Sequence, residues 1–98
     1  MTVANTFLPE ELKRSLAQLA LQHGARNMRV FGSVARGESR PDSDIDLLID
    51  MEPGRSLFDF VAFWQDAEEL LGRKVDVVTE AGLSPYLRRR ILEEAIPL

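Results

Sequence analysis

Residues 44–50 read Asp-Ile-Asp-Leu-Leu-Ile-Asp, and this alternation of acids with branched aliphatics constrains the fold more than any other segment. Side chains along a β-strand point to opposite faces in turn. A strand here puts Ile45, Leu47 and Ile49 on one face, where helices can cover them, and Asp44 and Asp46 on the other. Two carboxylates so placed have Cα atoms roughly 6.5 Å apart, and their oxygens can converge on one or two cations. Left without a cation they repel each other, so the arrangement predicts a ligand.

Lys74-Val75-Asp76-Val77-Val78 repeats the pattern. Val75 and Val77 face the core while Asp76 points away. If this strand lies beside the 44–50 strand, Asp76 joins Asp44 and Asp46 as a third carboxylate. Three acids on one open face suit a two-metal phosphoryl-transfer site, with the ions about 4 Å apart. The third acid is then a general base or a shared ligand of the second ion. Gly32-Ser33 supplies the complementary half. Glycine lets a phosphate approach the backbone, the N–H groups at the following helix start attract anions, and Ser33 adds a hydroxyl donor. Arg36, one turn on, is a cation within reach of the same phosphates.

The remaining segments frame these strands. Leu8-Pro9-Glu10-Glu11 opens a first helix with Leu12, Leu16, Leu19 and Ala20 as its apolar stripe, stopped by Gly24 after His23. Met28 to Phe31 reads as a strand, and Ser33 as the cap of a short helix running to about Arg36. Ser39-Arg40-Pro41-Asp42-Ser43 is a loop by composition. Ser56 with Asp59 resembles a capping box opening a helix that reaches about Leu71. Ser84-Pro85 starts a last helix that ends before Pro97. This order predicts an α/β (α+β) fold: a small mixed sheet of three to four strands with helices packed mainly on one face. The connection between the first two strands is short for a right-handed crossover, so the sheet need not be all parallel.

Composition removes the competing chemistries. The 98 residues are read as one domain, 1–98, with residues 1–6 as a flexible tail. The chain has no cysteine and one histidine, His23, so thiolate or imidazole zinc sites are not expected and metal binding must use oxygen ligands. The net charge of −4 argues against an extended nucleic-acid surface. No signal peptide or membrane span is read, and the expected location is cytoplasmic, with no membrane partner. Asp42-x-Asp44-x-Asp46 imitates an EF-hand loop, but Leu47 and Pro53 stand where it needs Gly and Glu. Gly32 to Ser39 imitates a P-loop, but Glu38 stands where it needs lysine.

Gly32-Ser33, ten intervening residues and Asp44-Ile45-Asp46 together resemble the signature of the polymerase-β-like nucleotidyltransferase superfamily. The strings Phe31 to Gly37, Ser43 to Ile49 and Val75 to Val78 are similar to its minimal nucleotidyltransferase branch. The resemblance implies the nucleotidyltransferase fold, with catalytic, Mg²⁺-binding aspartates at Asp44, Asp46 and Asp76. It also implies two Mg²⁺ ions with bound nucleotide, ATP as substrate, and triphosphate binding by Gly32 and Ser33; Arg36 lies within the matching string. Members of this family pair with an HEPN-domain toxin as antitoxin and can silence it by AMPylation of a tyrosine, so a type VII-like antitoxin is expected. Larger superfamily members carry an added domain for the acceptor, which makes a protein partner the expected acceptor here. Two alternatives stay open: a non-catalytic antitoxin that inhibits by occlusion, and a nucleotidyltransferase acting on a small molecule.

Three other features carry expectations. Leu57, Phe60, Val61, Trp64, Ala67 and Leu71 lie at core spacing. Phe58, Phe63 and Leu70 fall outside that stripe, as a wide buried face or as a homo- or hetero-oligomer interface. On the second reading, changing Phe58 and Phe63 to Glu weakens assembly and not folding. Arg88-Arg89-Arg90 reads as a solvated face, with a partner or RNA contact as the alternative. His23, at a helix end, has no catalytic role, and nothing in the sequence supports Tyr86 as a self-modification target.

Overall fold

The computed structural model describes residues 8–38, 40 and 43–98. The tail read at residues 1–6, and Ser39, Pro41 and Asp42 of the loop read at 39–43, lie outside the described residues. In chain order the elements are α1 (Glu10–His23), β1 (Ala25–Phe31), α2 (Ser33–Arg36), β2 (Ile45–Met51), α3 (Leu57–Leu71), β3 (Val75–Thr79), α4 (Pro85–Glu94) and β4 (Ile96–Pro97).

The strands form one mixed sheet in the order β3-β2-β1-β4. β1 and β2 pair antiparallel, as the short connection through one-turn α2 allows. β2 and β3 pair parallel, and the 15-residue α3 supplies the crossover that parallel pairing needs. β1 begins at Ala25, three residues before the apolar run of the sequence. Its register shifts between Arg26 and Arg29, and Asn27 sits at φ 53, so this polar stretch joins the strand through a bulge. β4 was not read as a strand; Ile96 pairs with Val30 after α4 stops at Glu94.

One face of the sheet is the hydrophobic core. Val30, Ile45, Leu47, Ile49, Val75 and Val77 meet Leu16 and Ala20 of α1 and Phe63 and Ala67 of α3, and all are buried. α1 ends at Gly24, whose left-handed φ of 77 lets its N–H close the last turn on Ala20 and Leu21. α3 opens on the capping box: the Asp59 carboxylate accepts the Ser56 N–H at 2.9 Å, which holds the Asp59 carboxyl below the usual range.

The stripe read along α3 is corrected by this packing. Phe63 is fully buried, whereas Leu57, Phe58 and Val61 are exposed. The inward stripe runs through Phe60, Phe63, Trp64, Ala67, Leu70 and Leu71. The first half of the helix is apolar almost all round, so two stripes fit a period of 3.6 and the facing sheet selects one. Phe63 is therefore a core residue, and its change to Glu is a folding defect rather than a test of assembly.

α4 lies apart from this core and contributes no fully buried residue. It is tied to the other side of the sheet, by Arg88 to Glu80 at 3.1 Å near its start and by Glu94 to Gly32 at 2.6 Å at its end. Arg89 pairs with Glu93 on its exposed surface, as a solvated basic face requires. Among the described residues no helix is long and apolar enough to cross a membrane.

Candidate active site

Asp46 of β2 stands directly opposite Asp76 of β3 in the parallel register, so both carboxylates leave the same face of the sheet. Asp44 lies one residue before β2 begins. These three acids are the ones the strand phasing singled out. Their spacing is fixed by contacts to the neighbouring residues. Ile45 donates its N–H to the Lys74 carbonyl at 3.0 Å. The start of β3 is pinned by α3: Trp64 Nε1 donates to the Val75 carbonyl, and Glu68 accepts the Val75 N–H at 3.0 Å. Arg73 holds the chain entering β2, donating to the carbonyls of Ser43 at 3.1 Å and Arg40 at 2.8 Å.

Gly32 closes the site from the β1 side. Phe31 pairs with Asp46, and the next residue has φ 71, a left-handed conformation that favours glycine. A Cβ at Gly32 would collide with Asp46 Oδ2, so no other residue lets the backbone come this close to the carboxylate. Gly32 itself occupies the cap position of α2, and Ser33, read as the cap, is the first helical residue. A helix of four residues has little macrodipole. What this turn offers an anion is therefore local: the Gly32 N–H, the Ser33 hydroxyl and the Arg36 guanidinium. Arg36 is 44% exposed and pairs with Glu38 at 3.0 Å and Glu94 at 2.8 Å.

Electrostatics single out Asp46. Burial first, then the charges of Asp76 and Asp44, push its carboxyl up from 3.8 to about 6; Glu94 adds to the rise and Arg36 opposes it. Asp44 has a cation nearby, Lys74 Nζ at 3.8 Å. Asp50, further along the same face, has the guanidinium of Arg29 at 3.5 Å and an Asn27 hydrogen bond at 3.1 Å. Negative charge thus accumulates at the Asp46 end of β2.

Sequence reasoning missed three residues here. Arg29 is buried on the acidic face between Asp50 and Glu80, at 3.5 and 3.6 Å. Arg73 fixes the approach to Asp44, and Glu94 bonds both Gly32 and Arg36. Neither Arg73 nor Glu94 carries a sequence signal, because each reaches the site across a long separation. Arg29 had one: a charge inside an otherwise apolar strand must face something anionic.

The donor set fits a hard divalent cation. Asp44, Asp46 and Asp76 offer only carboxylate oxygens, the ligands Mg²⁺ prefers. The Asp46 carboxyl is raised first by burial and then by the negative charge of Asp76 and Asp44, and a cation would neutralise that second part. Among the described residues no group of three such side chains is placed, as it stands, to hold a metal ion.

Comparison with known proteins agrees with this geometry. The profile of the nucleotidyltransferase domain family matches residues 9–98. A Methanocaldococcus jannaschii protein named as a candidate protein adenylyltransferase is 43% identical over 86 residues, 88% of this chain and 92% of that protein. The protein adenylyltransferase MntA of Thermococcus cleftensis is 38% identical over 79 residues, 81% of this chain and 80% of that protein. A solved structure described as a candidate minimal nucleotidyltransferase superposes with a TM-score of 0.82 at 47% identity, covering 100% of this chain and 97% of its own. A toxin–antitoxin crystal structure with AMP-PNP shares the fold at a TM-score of 0.73 and 18% identity, over 87% of this chain and 70% of its own.

Proposed function

The chain belongs to the nucleotidyltransferase domain family and is a nucleotidyltransferase; from that premise we propose that it transfers AMP from ATP to a tyrosine of a partner HEPN-domain toxin, as a cytoplasmic, type VII-like antitoxin. The observation that carries the reading is the Asp46–Asp76 register pair next to Asp44, with the Gly32 backbone set against Asp46. A protein acceptor is supported by the name of the Thermococcus relative, and a toxin partner by the toxin–antitoxin assembly of the same fold.

In this reading Asp44, Asp46 and Asp76 hold Mg²⁺, two ions when nucleotide is bound. Gly32, Ser33 and Arg36 hold the triphosphate. Bound Mg²⁺ supplies neutralisation of the phosphates and acidifies the acceptor hydroxyl. Gly32 and Arg36 restrain the phosphate chain so that the α-phosphorus faces the acceptor. The tyrosine oxygen bonds to that phosphorus, the bond to pyrophosphate breaks, and the hydroxyl proton passes to the Asp76 carboxylate.

The test is transfer of label from α-labelled ATP, with Mg²⁺, to the product of the adjacent reading frame. The expected result is one labelled tyrosine on that protein, lost in both Asp44→Asn and Asp46→Asn. Neutralisation of the toxin that survives both substitutions, without label transfer, sinks the catalytic reading in favour of occlusion.

A further inference from the structure

Glu94, at the end of α4, has no part in the reaction as drawn, yet it occupies the site. Its Oε1 accepts the Gly32 N–H at 2.6 Å and an Arg36 N–H at 2.8 Å, with the side chain 18% exposed. These are two of the donors that the proposed function assigns to the triphosphate, Ser33 being the third. A carboxylate oxygen and a phosphate oxygen are equivalent acceptors for them, and both bonds are of the strong, charge-assisted kind. One N–H directs one such bond, so the two anions compete for it. The charges reinforce this. Glu94 already adds to the negative field at Asp46, and phosphates arriving beside a fixed carboxylate would be repelled at short range. α4 is suited to releasing it, because none of its residues is fully buried.

We propose that Glu94 is a residue of the nucleotide site, an internal anion that holds Gly32 and Arg36 in the free protein and is displaced from both by the triphosphate. The inference rests on the nucleotide-binding reading above. Its consequence follows from linkage: contacts made only in the free state stabilise that state and weaken nucleotide binding by the same factor. Glu94 then sets a threshold that a polyphosphate chain passes and a weaker anion does not.

Calorimetric titration of the full chain with AMP-PNP and Mg²⁺ tests this in wild type, Glu94→Ala and Glu94→Gln. The expected order of affinity is Glu94→Ala tightest, about tenfold over wild type, with Glu94→Gln about threefold tighter because it keeps a neutral acceptor in place. Thermal denaturation supplies a readout that a plain structural tether would not give. Glu94→Ala lowers the Tm of the free protein, and the gap to wild type closes at saturating Mg²⁺ and AMP-PNP. Wild-type binding that both variants leave unchanged or weaken, or a Tm gap that persists with ligand, overturns the role of Glu94 and leaves the nucleotide site standing. Failure of all three proteins to bind overturns the nucleotide site and this inference with it.

Discussion

On one face of β2, Ile45, Leu47 and Ile49 are fully buried against α1 and α3; on the other, Asp46 and Asp50 flank Leu48 among charged neighbours. The apolar face is compensated residue by residue, each side chain matched to a neighbour of like polarity. The acidic face is compensated unevenly. Asp50 has Arg29 and Asn27, whereas Asp46 has Asp76, Asp44 and Glu94 around it, opposed among the described residues by Arg36. Two aspartates four residues apart on one strand are thus a structural ion pair and an unbalanced charge. The unbalanced one, set against Gly32, is where a cation and a phosphate chain would be stabilised.

Four measurements break or sharpen this comparison. The largest effect is expected from Asp46→Asn, which lowers nucleotidyl transfer about 10³-fold or more. Removing an uncompensated charge leaves stability unchanged or raised. Urea denaturation that shows a clear loss of stability would make Asp46 a structural acid like Asp50. On the apolar face, Phe63→Ala costs about 3–5 kcal/mol, while Phe58→Glu on the exposed side of α3 stays within about 0.5 kcal/mol. Comparable losses from both in denaturant titrations would contradict the inward stripe.

Arg29→Met comes next. It leaves Asp50 and Glu80 without their shared cation and costs about 1–3 kcal/mol, below the figure for fully buried pairs because both partners are partly exposed. A change under about 0.5 kcal/mol would show that Asp50 is balanced by other groups. The smallest effect is that of pH. The Asp46 carboxyl is raised from 3.8 to about 6, so the folded state holds this proton more tightly than the unfolded state. Stability in chelator therefore falls as pH rises towards and through 6, by about 1 kcal/mol between pH 5 and 7 after discounting for partial exposure. Mg²⁺ at pH 7 restores it. Paired urea midpoints at the two pH values, with Asp46→Asn as the flat reference, check the sign; a slope unaltered by that substitution would assign it to another group.

Legibility followed the range of each interaction. The alternation at 44–50 and 74–78 exposes strand faces because the period of two is a local property, and it turns Asp46 and Asp76 each away from the aliphatic face of its own strand, with their meeting left to the pairing of the two strands. Capping signals at Gly24, Ser56 and Pro85 were legible for the same reason. β4 was not, because two residues have no period and Ile96 is a strand only through its pairing with Val30. The α3 stripe misled because a helix apolar on several sides carries no local record of which side meets the sheet.

By itself, then, the sequence determined which residues alternate, which turns need glycine, and that three aspartates and a Gly-Ser pair are set at a spacing that resembles one enzyme family. Tertiary structure alone decided that Asp46 and Asp76 are direct neighbours, that Phe63 rather than Leu57 fills the core, and that Arg29 and Glu94 enter the acidic face. The physical reason is separation along the chain. Periodicity and capping act over a few residues, whereas Glu94 meets Gly32 across 62 residues, and no pattern within either segment records that meeting.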